Sequence, residues 1–154
     1  MREAIAGGLV GPPVTDAAHT DEERRNIDTV LALRRAGYGE RKAFQGPGFV
    51  VHRRGMAHLA AAGGFRGTGY DANSIADRQD EIVDIIAKDD RVWCVWKIRG
   101  THTGPLFGVA ATGRPIEVIE MGAWRFEAGK VAEAWFFADE YALAVQLGIT
   151  PPGC

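Results

Sequence analysis

One aspartate and two histidines keep the company that acid–base chemistry needs. Asp139 follows directly on the apolar run Trp135–Phe136–Phe137–Ala138. Under strand alternation Val131, Glu133, Trp135, Phe137 and Asp139 share one face, so in a regular strand the acid lies beside aromatic surface. Desolvation there disfavours the carboxylate and lifts its pKa from ~3.9 toward neutrality. Such a group can take a proton from a carbon acid and return it to a forming alkoxide, a contribution of about 10²–10⁴ in rate. Asp139 also stands immediately before "EYALAVQLG", and Asp is a favoured N-cap, so a capping role competes with the catalytic one.

His102 shares strand parity with Val92, Cys94, Trp96 and Ile98, an apolar face that points its imidazole inward to orient or polarise a carbonyl. The competing reading is a structural histidine bonded to the "TGPLFG" loop. His52 ends the run "GFVVH", and His58 sits in an alanine-rich segment. Trp96, Trp124, Trp135 and Phe137 are candidate walls of a binding pocket, although aromatic residues on strands also build cores. Trp93 has the opposite parity to Trp96 and is placed on the outer sheet face with Val95, Lys97 and Arg99. Arg125 and Glu133 are spaced to pair across a hairpin. No paired His/Cys spacing points to a metal, and "ATGRP" is a turn without a following helix to bind phosphate.

The elements that must position these residues divide the chain into a helical first part and a strand-rich second part. Residues 1–19 read as a loosely ordered arm, because "GGLVGPP" has no period and lacks backbone donors at its prolines. Thr20–Asp21–Glu22–Glu23 is a capping box opening a helix over about 21–36, with Ile27, Val30 and Leu31 at helical spacing and Gly37 as the stop. "GFVVHRRG" reads as a short strand, "GMAHLAAAGG" as a short helix and "GGFRGTGYDANS" as a loop. Strands follow at about 81–87, 91–102, 115–126 and 130–138, joined in part by the turns "KDD" and "EAGK". "DEYALAVQLGI" closes the chain as a helix that Gly148 ends. Such an order predicts an α+β domain over 20–150, with helices covering one face of a curved antiparallel sheet.

Composition narrows the partners. The 154 residues fit one domain and bury roughly 68–70% of the unfolded surface, enough for a core and a cavity. A net charge of −2, with 46% hydrophobic and 25% charged residues, argues against nucleic-acid and anionic-membrane surfaces and favours small molecules or protein partners, the expected ligand being small and hydrophobic. The two cysteines, Cys94 in an apolar run and Cys154 at the end, form no disulfide framework and indicate a reducing, cytoplasmic setting. No apolar window approaches a membrane span, and the opening residues lack an export signal.

Gly100–Thr101–His102–Thr103–Gly104, Thr112–Gly113–Arg114, Arg125, Gly129–Lys130, Glu133, Trp135, Asp139 and Gln146–Leu147–Gly148 together resemble the SnoaL-like polyketide cyclases and ester cyclases in order and spacing. The usual pattern there is G-T-H-x-G, a P-T-G-R-type turn, R-x-x-x-G-K-I-x-E-x-W-x-x-x-D and a final Q-L-G. The resemblance covers residues 80–149 most strongly. It implies the cone-shaped fold of the nuclear transport factor 2-like superfamily, a sheet-face homodimer, and an intramolecular aldol closure without metal or organic cofactor. By the same resemblance Asp139 matches the acid–base aspartate, and His52 stands where a pocket histidine often lies. Two positions depart from the pattern. Ala134 replaces a common histidine before the motif tryptophan, and Ala111 replaces a proline. An epoxide hydrolase or dehydratase of the same superfamily, or a binding domain without chemistry, remain the alternatives.

Overall fold

The computed structural model describes residues 18–37, 39–53 and 73–149. The helix expected at "GMAHLAAAGG", with His58, residues 63–72 of the Gly-rich loop, residues 1–17 and Cys154 lie outside the described residues.

Helix α1 spans Asp21–Arg35 and opens on the expected capping box. Thr20 Oγ1 accepts the Glu23 amide at 3.2 Å, and Glu23 Oε2 accepts the Thr20 amide at 2.8 Å, so two orphan donors are satisfied reciprocally. Its end differs from the expected glycine stop. Ala36 caps the helix in extended backbone, and Gly37 donates its N–H to Glu40 Oε2 at 3.0 Å. His19, the last residue of the expected arm, is buried, and its Nε2 accepts the Ala87 amide at 3.2 Å. Packing against the sheet therefore begins just before Thr20.

A 3₁₀ turn at Glu40–Phe44 leads into β1, Gln45–His52. The remaining strands are β2, Gln79–Lys88; β3, Arg91–Thr101; β4, Pro115–Glu127; and β5, Lys130–Ala138. Helix α2, Glu140–Leu147, ends at Gly148, whose φ of 76° makes it the stop read from the sequence. The sheet order is β1-β5-β4-β3-β2. Strands β2 to β5 form the expected antiparallel meander, but β1 runs parallel to β5, so the sheet is mixed. Strands β1 and β2, consecutive in the chain, lie at opposite edges of the sheet, and the chain returns to β1 only through the meander β2–β5. The β4–β5 turn places Ala128 at φ 49° and Gly129 at φ 73°, the paired positive values of a tight hairpin.

Strand β4 shows the two sheet faces plainly. Ile116, Val118, Glu120, Gly122, Trp124 and Phe126 are buried on the inner face, while Glu117, Ile119 and Met121 are exposed on the outer one. Helix α1 covers the inner face over β2 and β3, with Val30 and Leu33 in the core. Gly122 is required there, because a Cβ at that position would sit 2.6 Å from Cη2 of Trp124. Glycine lets the indole lie flat along the inner face.

Candidate functional site

A one-residue irregularity decides which side chains line the interior. Across the β4–β5 hairpin Phe126 opposes Val131, whereas the next β4 residue, Arg125, opposes Glu133. Ala132 is thus an extra residue in β5, a bulge that breaks the alternation between Val131 and Glu133. Val131 is fully buried, but beyond the bulge Ala134, Phe136 and Ala138 face inward opposite Trp124, Gly122 and Glu120. Glu133, Trp135 and Phe137 face outward opposite Arg125, Ala123 and Met121.

The expected grouping around Asp139 is corrected accordingly. Asp139 is exposed on the outer side, its N–H donates to Ile119 O at 3.1 Å, and its Oδ1 accepts the Ala142 amide at 2.9 Å as the N-cap of α2. It borders a groove of about 510 Å³ with Glu117, Ile119 and Gln146, away from the aromatic interior. Phe137 is 63% exposed and is no pocket wall. Trp135 stacks outside on His52, with ring centroids 5.1 Å apart and planes 12° apart. His52 Nε2 meets Glu133 Oε1 at 2.8 Å, and Arg125 Nε donates to Glu133 Oε2 at 3.0 Å, the cross-hairpin pair read from the sequence. The hydrogen bond from His52, then that from Arg125, holds the Glu133 carboxyl below the usual range. His52 and Trp135 therefore belong to a solvent-side network.

His102 does point inward and is completely buried, but its partner is Thr112 of the "ATGRP" turn rather than the "TGPLFG" loop. Thr112 N–H donates to Nδ1 at 3.3 Å, and Thr112 Oγ1 lies 3.0 Å from the same nitrogen. Nε2 has no hydrogen-bond partner among the described residues. Six residues of extended strand, about 20 Å at ~3.3 Å per residue, separate it from Trp96. His102 and Asp139 lie on opposite sheet faces and do not converge.

The interior site instead gathers around Trp96, Trp124 and Phe136. Trp124 and Phe136 meet edge to face at 5.6 Å, and the two indoles are 5.9 Å apart. A cavity of about 180 Å³ is bounded by Phe136, Trp124, Val51, Phe49 and Arg34. Opposite Trp96 in register stands Glu120, a carboxylate only 3% exposed, whose Oε1 accepts from Arg53 Nη2 at 3.2 Å. Glu140, the neighbour of Asp139, is half-buried and feels the charges of Arg53 and Glu120. Burial pushes its carboxyl above the ordinary value; the charge of Arg53 opposes that shift, and the charges of Glu120 and Asp139 add to it. Three donors are left over among these residues: Trp96 Nε1, Arg34 Nε and Arg53 Nε are buried without a hydrogen-bond partner among the described residues. An unpaired buried donor costs about 1–3 kcal/mol, so a ligand oxygen supplied to any of them is favoured.

Glu120 carries a signal in the sequence, because it interrupts the otherwise apolar parity Ile116–Val118–Gly122–Trp124–Phe126. Glu140 carries none, since its direction depends on the bulge. Burial pushes the Cys94 thiol up to about 12, which fits an unreactive core residue. Among the described residues no three His, Cys, Asp or Glu side chains gather to hold a metal, and no helix is long and apolar enough to cross a membrane.

The family model of the SnoaL-like polyketide cyclases matches residues 49–147. No curated protein matches the sequence. Among solved structures, the chain is similar to a candidate SnoaL-like polyketide cyclase from Jannaschia sp. CCS1, at 20% identity and TM-score 0.66 over 87% of this chain and 99% of that one. It is similar to AclR, a candidate hydroxylase from Streptomyces galilaeus, at 25% identity and TM-score 0.63 over 83% and 81%. It is also similar to IdmH, a candidate polyketide cyclase from Streptomyces antibioticus, at 25% identity and TM-score 0.61 over 80% and 99%.

Proposed function

The chain belongs to the SnoaL-like polyketide cyclase family, and on that premise we propose that it is a cofactor-independent acid–base enzyme acting on a small hydrophobic carbonyl compound. The observation that carries the proposal is the buried Glu120–Arg53 pair beside the aromatic interior, together with a half-buried Glu140 carboxyl that desolvation pushes above its ordinary value. Glu140 takes the role that the sequence pattern assigns to Asp139, whose carboxylate is turned outward and occupied by a backbone amide.

The chemistry follows from that placement. Ionised Glu140 removes a proton from a carbon flanked by carbonyl groups, and the C–H electron pair passes into an enolate. The enolate carbon attacks a second carbonyl of the same molecule, whose π pair becomes an alkoxide. Glu140, now protonated, returns its proton to that oxygen, so nothing is gained or lost overall. A carboxyl raised toward neutrality suits both transfers. Arg53 stabilises negative charge at the site, and the unpartnered Nε1–H of Trp96 can donate to the enolate oxygen. Aromatic walls fold the chain so that its ends meet.

The outer sheet face supports a homodimer in the same proposal. Trp93, Met121 and Phe137 are 38%, 43% and 63% exposed on adjacent strands, an apolar stripe that a second copy would bury.

Deuterium wash-in at the activated methylene of an aromatic β-ketoester such as ethyl benzoylacetate, followed by NMR, tests the acid–base reading. The wild type is expected to accelerate exchange, Glu140→Gln to lose about 10²–10⁴ of that acceleration, and Asp139→Asn to keep it within about threefold. The reverse ranking of the two variants would return the role to Asp139. No acceleration over a panel of such esters would favour a binding domain.

A further inference from the structure

The geometry points to a second ligand site at the C-terminal end of α1, built for the carboxylate of a small amphipathic acid. A pocket of about 460 Å³ opens there, within the ~300–1,000 Å³ range of small-molecule sites. Among the described residues its charged lining is Arg34, Arg35, Arg41 and Arg78 with the carboxylate of Asp80.

Asp80 is already shared. Arg34 pairs with its Oδ2, and Arg78 grips both oxygens at 2.7 and 3.1 Å. The three side chains are 5%, 15% and 12% exposed for Arg34, Arg78 and Asp80. Burial opposes ionisation of Asp80, but the hydrogen bond from Arg78 and the charges of both arginines prevail and hold its pKa low. One anion thus stands between two cations in a poorly hydrated place. Arg34 therefore shares its carboxylate with a second guanidinium, and a further oxygen acceptor at its own unpartnered edge is favoured.

Arg34 makes the need specific. It is 7% exposed, its guanidinium lies 4.0 Å over the Trp96 ring, and its Nε has no hydrogen-bond partner among the described residues. Glu40, the carboxylate nearest in sequence to this rim, is turned to the Gly37 amide. The floor is apolar, with Leu31, Ile75 and Ile82, so a bare inorganic anion would leave most of the pocket unfilled. An acid with a short apolar body fills it, and its carboxylate takes the planar, two-pronged hydrogen bonding that guanidinium offers. Arg34 also borders the 180 Å³ interior cavity, so an occupant here rests against the wall of the interior site without entering it.

Isothermal titration with 4-phenylbutyrate, its neutral amide and inorganic phosphate separates the possibilities. The acid is expected to bind about tenfold or more tighter than the amide, and to weaken as salt is raised. Arg35→Gln, at the exposed rim, should weaken it about threefold, because a screened rim charge contributes modestly. The paired change Arg34→Gln with Asp80→Asn keeps the buried charge balanced and should abolish binding, while Asp80→Asn alone should tighten it by removing the competing carboxylate. Equal binding of acid and amide, or full affinity in both the paired variant and Arg35→Gln, overturns the proposal. Phosphate binding as tightly as the acid does so too, by showing an adventitious ion only. Glu140→Gln should bind 4-phenylbutyrate like the wild type, so this site and the acid–base reading stand or fall separately.

Discussion

The Asp139 carboxylate accepts the Ala142 amide at 2.9 Å and so closes the first turn of the last helix. Asn caps nearly as well as Asp, whereas Ala leaves the donor orphaned. Asp139→Asn should therefore unfold in urea at the wild-type midpoint, and Asp139→Ala should lose about 1 kcal/mol. Equal destabilisation by both changes would contradict a capping role.

Glu140 makes the opposite prediction with pH. Its folded-state pKa is raised by burial, so between the unfolded value, ~4.3, and the higher folded one the native state holds more protons than the unfolded chain. Its contribution is fully present below the unfolded value and is lost as pH rises through the folded one. Glu140→Gln should escape that loss. The stability difference between variant and wild type should grow in the variant's favour from acid toward neutral pH, as read from urea titrations at several pH values. A constant difference would show that Glu140 is not desolvated.

Glu133 and His52 lie on the other side of the sheet, where the sign reverses. The Glu133 carboxyl is held down by His52 and Arg125, so its contribution is present above the unfolded value and disappears as pH falls through the folded one. His52→Gln should flatten the acid limb of the stability profile and leave the deuterium wash-in rate unchanged. A large loss of exchange in that variant would place His52 in the machinery after all.

Gly122 and Trp124 should be energetically coupled. Adding a methyl at Gly122 drives it to 2.6 Å from the indole, and overpacking of this kind costs about 1–3 kcal/mol. Combining Gly122→Ala with Trp124→Phe should cost less than the sum of the singles, by about 0.5–3 kcal/mol in a double-mutant cycle. Strict additivity would mean that the backbone, not the ring, sets the preference for glycine.

The outer apolar stripe can be broken by one charge. Met121→Lys should turn a dimer into a monomer in light scattering after size exclusion, with the fold intact by circular dichroism. A wild type that is already monomeric would remove the dimer proposal.

Much of the architecture is legible because local physics writes it into short windows. The capping box at Thr20–Glu23, the inward parity of Val92, Cys94, Trp96 and Ile98 and the glycine stop at Gly148 each rest on neighbouring residues, and each stands in the structure as its window implies. Motif order likewise carries the family, since the matched residues follow one another from the end of β3 through the β4–β5 hairpin to the last helix.

What the sequence by itself determined is the set of elements, the meander and the chemical cast of carboxylates and aromatics. Which carboxylate faces the interior was decided only by the tertiary structure. In β5 both parities are apolar, Ala134, Phe136 and Ala138 on one and Trp135 and Phe137 on the other, so composition cannot choose between them. The bulge at Ala132 chooses, by adding one residue to one strand, and every side chain beyond it changes face. Asp139 is thereby left on the outer side to cap the helix, and the half-buried Glu140 next to it feels the charges of Arg53, just beyond β1, and of Glu120 on β4. The register of the β4–β5 hairpin sets that outcome, and the alternation of β5 read alone does not reveal where the extra residue falls.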